Sequence, residues 1–184
     1  MTKDLTSTLF DLFAALLEYP SAETIEQAGQ LLEQLTSLSI ESAEVLEKFV
    51  RRLDQLSLEK MRELYTITFD MQPVCYPYVG YQLFGESYKR GAFMAQLNEA
   101  YHACGYSAGQ ELPDHLAVIL RFLGLDSTNR ASEFCQALLT SGLTPALEKM
   151  LKVFNKDSEN PYAELLSALQ LFLVPTPEKE LTHA

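Results

Sequence analysis

The sequence has no tryptophan, and only eight glycines and eight prolines are spread over its 184 residues. With so few helix breakers, and with Leu, Ala, Glu and Gln abundant, local propensity leans towards helix. Cysteine is just as scarce. Cys75, Cys104 and Cys135 are odd in number, far apart and without a C-x-x-C spacing. That argues against a disulfide framework and against a zinc ribbon, and it fits a reducing compartment. Positive charge is short too: 14 Lys and Arg stand against 25 Asp and Glu, giving a net charge of −11. A phosphate-backbone binder needs a basic footprint, so nucleic acid is not an expected partner. No stretch approaches the ~18 consecutive apolar residues of a membrane span. The opening MTKDLTSTLFDLFAALLEYP has no clear basic n-region, and its apolar residues recur at helical spacing. A soluble, cytoplasmic chain without direct membrane insertion is the expectation.

Hydrophobic residues make up 47% of the chain, enough for one domain to bury a sizeable core. That domain is expected over 1–174, followed by a polar tail over 175–184. Leu5, Leu9, Leu12, Phe13, Leu16 and Leu17 share one helical face, which Pro20 ends. Ser21 is placed to cap a second helix through Ile25, Ala28, Leu32 and Leu35. Ile40 to Leu56 continues the pattern, and Ser57 caps a fourth helix with Met61, Leu64, Tyr65 and Phe69 on its apolar side. The period breaks at DMQPVCYPYVGYQLFG, Asp70 to Gly85, a stretch too aromatic for a disordered linker. Helical patterns return from Glu86 to Cys104 with Gly105 as C′ residue, from Pro113 to Gly124, from Ser127 to Ser141, from Thr144 to Asn155, and from Pro161 onwards. About nine helices and no strand alternation predict an all-α, compact single-domain bundle.

The helix in ELPDHLAVILRFLG, Glu111 to Gly124, is apolar nearly all round and belongs at the centre. Asp114 is expected in its first turn, where the helix dipole favours a carboxylate. His115 beside it reads either as a satisfied structural histidine or as a group at the mouth of a groove. No nucleophile elbow, metal-ligand spacing or phosphate-binding loop accompanies the pair, so catalytic machinery is poorly supported. Glu18 with Glu23, and Glu41 with Glu44, read as ordinary solvent-facing charges. An enzyme using Asp114 and His115 as general acid and base, and an acidic adaptor that docks a basic partner, remain as alternatives.

Three runs in the same order carry a resemblance: LYTITFD (Leu64 to Asp70), LFGESYKRGAFM (Leu83 to Met94) and ELPDHLAVILRFL (Glu111 to Leu123). Together with LLEYP, Leu16 to Pro20, they resemble the TorD/DmsD/NarJ family of redox-enzyme maturation chaperones, most of all its NarJ-type branch. Leu112 stands where the wider family commonly has proline, and Pro113 follows one place later, as in the nitrate reductase branch. The resemblance implies an all-helical, TorD-like, non-enzymatic cytoplasmic chaperone. It would bind the N-terminal peptide of a molybdopterin-containing oxidoreductase catalytic subunit and assist molybdenum cofactor insertion. It implies no resident cofactor and no metal, and a monomer is expected, with a dimer as the alternative. The family's E-x-x-D-H element falls on Glu111, Asp114 and His115. Tyr65, Phe69 and Phe84, with Tyr76, Tyr78 and Tyr81, are candidate anchors for an apolar peptide face, and Asp70, Glu86, Glu111 and Asp114 are candidate rim charges.

Overall fold

The computed structural model describes residues 3–174, so the tail expected over 175–184 lies outside the described residues. Helix α1 (Leu5–Leu16) begins where the Asp4 carboxylate accepts from the Ser7 amide at 2.8 Å, satisfying one of the free donors of the first turn. Leu9, Phe13, Leu16 and Leu17 are fully buried or nearly so, as their shared face predicts, while Leu5 at the start of the helix is exposed. Helix α2 (Thr24–Leu38) starts two residues later than the Ser21 cap implies. The Ser21 hydroxyl accepts from the Glu23 amide, and the Ser21 amide donates to Thr24 Oγ1, so both residues close a turn ahead of the helix. Helix α3 (Ile40–Leu53) is capped by Ser39 and lies between α2 and the last helix, α11 (Tyr162–Leu173). Phe172 of α11 sits against Phe10 and Phe13 with ring centroids 5.3 and 5.4 Å away, joining α1 to the far side of the bundle.

Helix α4 (Leu58–Tyr65), capped by Ser57, runs on into a π-turn over Thr66–Asp70, closed by the Met71 amide donating to the Thr66 carbonyl. The wider turn is held from outside: Thr68 Oγ1 donates to the Leu64 carbonyl at 2.7 Å and accepts from Asn160 Nδ2 at 2.9 Å. Beyond it the stretch that reads as irregular contains a short helix, α5 (Val79–Phe84), hidden in the sequence by its prolines and tyrosines. Helix α6 (Tyr88–Ala103) follows, ending near Gly105 in the left-handed conformation.

Helix α7 (Leu116–Leu123) is the buried centre that its composition predicts, with every residue but Arg121 buried. It packs along α1, and the close approach depends on Gly124. A Cβ there would lie 3.0 Å from the Ser7 carbonyl oxygen and from Phe10 Cβ. The short helices α8 (Ser127–Arg130) and α9 (Glu133–Ala137) come next. The chain does not break at Gly142 as the sequence suggests. It passes through a second π-turn, Leu138–Leu143, into α10 (Thr144–Lys152). Pro145 has no N–H to continue the α-helical ladder, and Thr144 Oγ1 instead donates back to the Leu139 carbonyl at 2.9 Å. The fold is all-α. Its one extended pairing among the described residues is the isolated antiparallel bridge between Tyr78 and His115.

Candidate functional site

The bridge is where the site begins. The Val79 amide donates to the Asp114 carbonyl and the Leu116 amide to the Pro77 carbonyl, both at 2.8 Å, so the segment before α5 is stitched to the segment before α7. These two donors lie in the first turns of their helices, where no intrahelical partner exists. His115 is the N-cap of α7, its Nδ1 accepting from the Ala117 amide at 3.1 Å. Proline at 113 does not enter the helix. Asp114 therefore stands outside the first turn, and the dipole argument for it gives way to a different one.

Its carboxylate is fully buried and meets the Arg90 guanidinium of α6 in a forked pair, Nε to Oδ2 at 2.8 Å and Nη2 to Oδ1 at 3.3 Å. The guanidinium lies over the rings of Tyr78 and Tyr81, 5.3 and 5.7 Å from their centroids, so it is stacked as well as paired. Gly80 makes room for this: a Cβ there would fall 2.7 Å from Asp114 Oδ2 and 2.9 Å from the Phe93 ring. One buried contact thus fixes α5, α6 and the start of α7 together.

Over the bridge lies a cleft of about 770 Å³. Tyr65 and Phe69 form one wall, Tyr106, Ala108 and Glu111 the opposite one, and Pro77, Tyr78, His115, Ala117 and Val118 the floor. Glu18 and Arg121 close one end, and Tyr19 separates the cleft from a shallower recess beside α4. The hydroxyls of the aromatic walls are all occupied. Tyr65 donates to the Leu17 carbonyl at 3.2 Å, Tyr106 to the Val118 carbonyl at 2.8 Å, and Tyr78 to Glu111 Oε1 at 3.2 Å. Burial pushes the Tyr78 and Tyr106 phenols up to about 12, with Glu111 adding to the effect at Tyr78, so both stay neutral donors at physiological pH. What the walls offer inward is ring surface. Acidity frames it: Glu18, Asp70 and Glu111 line the cleft against the single guanidinium of Arg121, which Glu18 already holds with two hydrogen bonds of 2.8 and 2.9 Å.

Of the residues singled out in the sequence, the fold brings Tyr65, Phe69, Asp70, Tyr78, Glu111 and His115 to this cleft, while Tyr76 and Tyr81 pack on one another outside its lining. Asp114 lies behind the floor rather than on the rim, because its charge is consumed by Arg90. Phe84 and Glu86 are elsewhere, at the α5 to α6 turn, where Phe84 packs edge-on against Phe93 at 5.9 Å. Glu18, read as a plain surface charge, is instead half of the ion pair that closes one end. Its partner Arg121, and Tyr106 in the opposite wall, carry no local signal. No hydrogen bond joins Asp114 to His115; the carboxylate is committed to Arg90 and the imidazole Nδ1 to its cap, so the two do not form a catalytic dyad.

Two outcomes follow from this geometry. Asp114→Ala strands the Arg90 guanidinium and is expected to cost about 3 kcal/mol in urea unfolding, the lower end for a broken buried pair because Arg90 keeps some solvent. A loss below about 1 kcal/mol would mean the pair does not hold the floor. Burial pushes the His115 imidazolium below its ordinary value of 6.5, against the pull of Glu111, Glu18 and Asp114. The unfolded chain then binds this proton more readily than the folded one. Its contribution to stability is complete above 6.5 and is lost as the pH falls through that value towards the lower folded one. His115→Asn retains a cap acceptor without titrating, so its urea midpoint should fall less than that of the unsubstituted protein between about pH 7 and pH 5.

The profile of the nitrate reductase delta subunit family matches residues 33–168. A Bacillus subtilis (strain 168) protein, named as a probable nitrate reductase molybdenum cofactor assembly chaperone NarJ, is 28% identical over 166 residues, covering 87% of this chain and 85% of that one. The fold is shared with a solved protein from Archaeoglobus fulgidus assigned as a redox enzyme maturation protein. The TM-score is 0.60 at 23% identity, with 94% of this chain and 96% of that one covered. With the match running from α2 into α11 and through both sides of the cleft, this chain belongs to the nitrate reductase delta subunit family.

Proposed function

We propose that this protein is a maturation chaperone for a nitrate reductase-like molybdoenzyme, and that it holds the N-terminal segment of the catalytic subunit in the cleft above the Tyr78 and His115 bridge. Family membership supports the kind of work, and the lining of the cleft supports the mode. The observation that carries the reading is the pairing of aromatic walls, whose hydroxyls are already satisfied, with two carboxylates, Asp70 and Glu111, that no cation pairs among the described residues. Ring faces of this kind recognise an apolar stripe on a short helix or extended peptide, and the acids select a segment that carries basic residues near that stripe.

Assistance to cofactor insertion then follows from occupancy. A catalytic subunit whose first residues are held in the cleft cannot use them to fold or to dock, and stays open until the molybdenum cofactor, which is the client's and not the chaperone's, has been loaded. No chemistry is required of the chaperone beyond binding and release. Tyr65, Phe69 and Tyr106 supply apolar contact, Asp70 and Glu111 supply charge at the rim, and His115 keeps the floor in register. Asp114 acts behind the floor as a positioning residue, and the structure gives Phe84 and Glu86 no place in the cleft.

Calorimetry with a peptide of about 15 residues from the client's N-terminus tests this. Saturable one-to-one binding is expected. The double substitution Asp70→Asn and Glu111→Gln should weaken binding roughly tenfold while leaving helical circular dichroism unchanged, because both side chains are exposed. Raising salt from about 0.1 to about 1 M should remove part of the affinity and not all of it, since apolar contacts are not screened. Absence of binding at high protein concentration, or its complete loss in salt, would overturn the cleft as a peptide site.

A further inference from the structure

At the opposite end of α6 from the floor contact, two thiols converge on one atom. Cys104 Sγ lies 3.4 Å from Asn129 Oδ1, and Cys135 Sγ lies 3.7 Å from the same oxygen. Cys104 is exposed at the C-cap of α6, and Cys135 is fully buried in α9. Asn129 belongs to α8, a helix of four residues, and is itself tethered by its Nδ2 donating to the Phe122 carbonyl at 2.9 Å. An accessible thiol is therefore backed by a second, sheltered one. Only a carboxamide oxygen on a short helix mediates between them. Cys75 has no such company: it is buried, and its sulfur reaches only the Tyr76 carbonyl, 3.9 Å away.

We propose that Cys104 and Cys135 form an oxidation site at which a peroxide is reduced and an intrachain disulfide is made. The Cys104 thiolate attacks one peroxide oxygen, so that an S–O bond forms, the O–O bond breaks, and hydroxide leaves and is protonated to water. The Cys135 sulfur then attacks the sulfenic sulfur of Cys104. The S–S bond forms, the S–O bond breaks, and the departing hydroxide takes the thiol proton as a second water. Two thiols lose two electrons and one peroxide gains them. Bonding at about 2.05 Å requires the Asn129 side chain to rotate away, giving up both thiol contacts and its bond to the Phe122 carbonyl, while Arg130 keeps α8 tied to Asp4, Ser7 and Leu123. In a reducing compartment such a bridge is transient and reversed by cellular thiols. Burial holds the Cys135 thiol protonated, which leaves Cys104 as the attacking group and Cys135 as the resolving one.

The test uses the full chain with one equivalent of hydrogen peroxide, alkylation of the remaining thiols, and peptide mass mapping without reduction. The expected product is a monomer lighter by two hydrogen atoms, with the peptides of Cys104 and Cys135 joined and Cys75 still alkylated after unfolding. Cys104→Ser and Cys135→Ser should each abolish the bridge, with Cys135→Ala as the substitute if serine disturbs the buried site. Cys75→Ser should leave it unchanged. Cys104 recovered as sulfinic acid, or in a disulfide between two molecules, with Cys135 still free to react, would overturn the proposal.

Discussion

The site hangs on one buried contact, the forked pair between Arg90 and Asp114. A fully buried carboxylate is tolerable only when an opposite charge and well-placed donors compensate for lost hydration. Here the partner is a planar guanidinium, stacked beneath two tyrosine rings and bonded through two nitrogens. Because the three parties come from α6, from the segment leading to α5, and from the residue before the α7 cap, satisfying the charge fixes three backbones at once. The backbone bridge at Tyr78 and His115 joins two of those segments directly, and the cleft lies above it.

The same contact explains a division of labour inside the E-x-x-D-H element. Glu111 is exposed and lines the cleft, His115 is buried but forms its floor, and Asp114 points away into the protein. Three neighbouring polar residues that look alike in the sequence thus do different things. Glu111 presents its carboxylate to the cleft, His115 sets the start of α7, and Asp114 keeps the floor where it is. A similar division holds at the end of the cleft, where Glu18 and Arg121 satisfy one another and leave Asp70 and Glu111 as the free acids. In the proposed function, selectivity for a basic, partly apolar segment would rest on which charges are spent internally and which are left over.

Much of this was legible in the sequence, and the rest was not for definable reasons. The period of 3.6 residues marked α1, α3, α4 and α7 because each buries one face or, for α7, nearly all of itself. The three ordered runs pointed to Tyr65, Phe69, Asp70, Glu111 and His115, which the fold does bring together. The two π-turns left no trace, since an i to i+5 bond is set by tertiary partners such as Asn160 and by Pro145 rather than by composition. Helix α5 was masked by residues that usually signal loops. The position of Asp114 is not legible because a local rule, acid at a helix start, applies to it in the sequence, while its actual partner lies 24 residues away. Glu18 reads as a surface charge for the same reason, its partner being 103 residues distant. Pairings of that range have no periodicity to read.

That the cleft above the bridge is where a client segment is held can be examined directly by amide hydrogen exchange, with and without the N-terminal peptide of the client catalytic subunit. The account predicts added protection over the turn from Tyr65 to Asp70, the segment from Pro77 to Val79, and the stretch from Tyr106 to Val118, with α2 and α3 unchanged. Protection confined to α2, α3 or the end of α11, with the cleft exchanging as before, would contradict it.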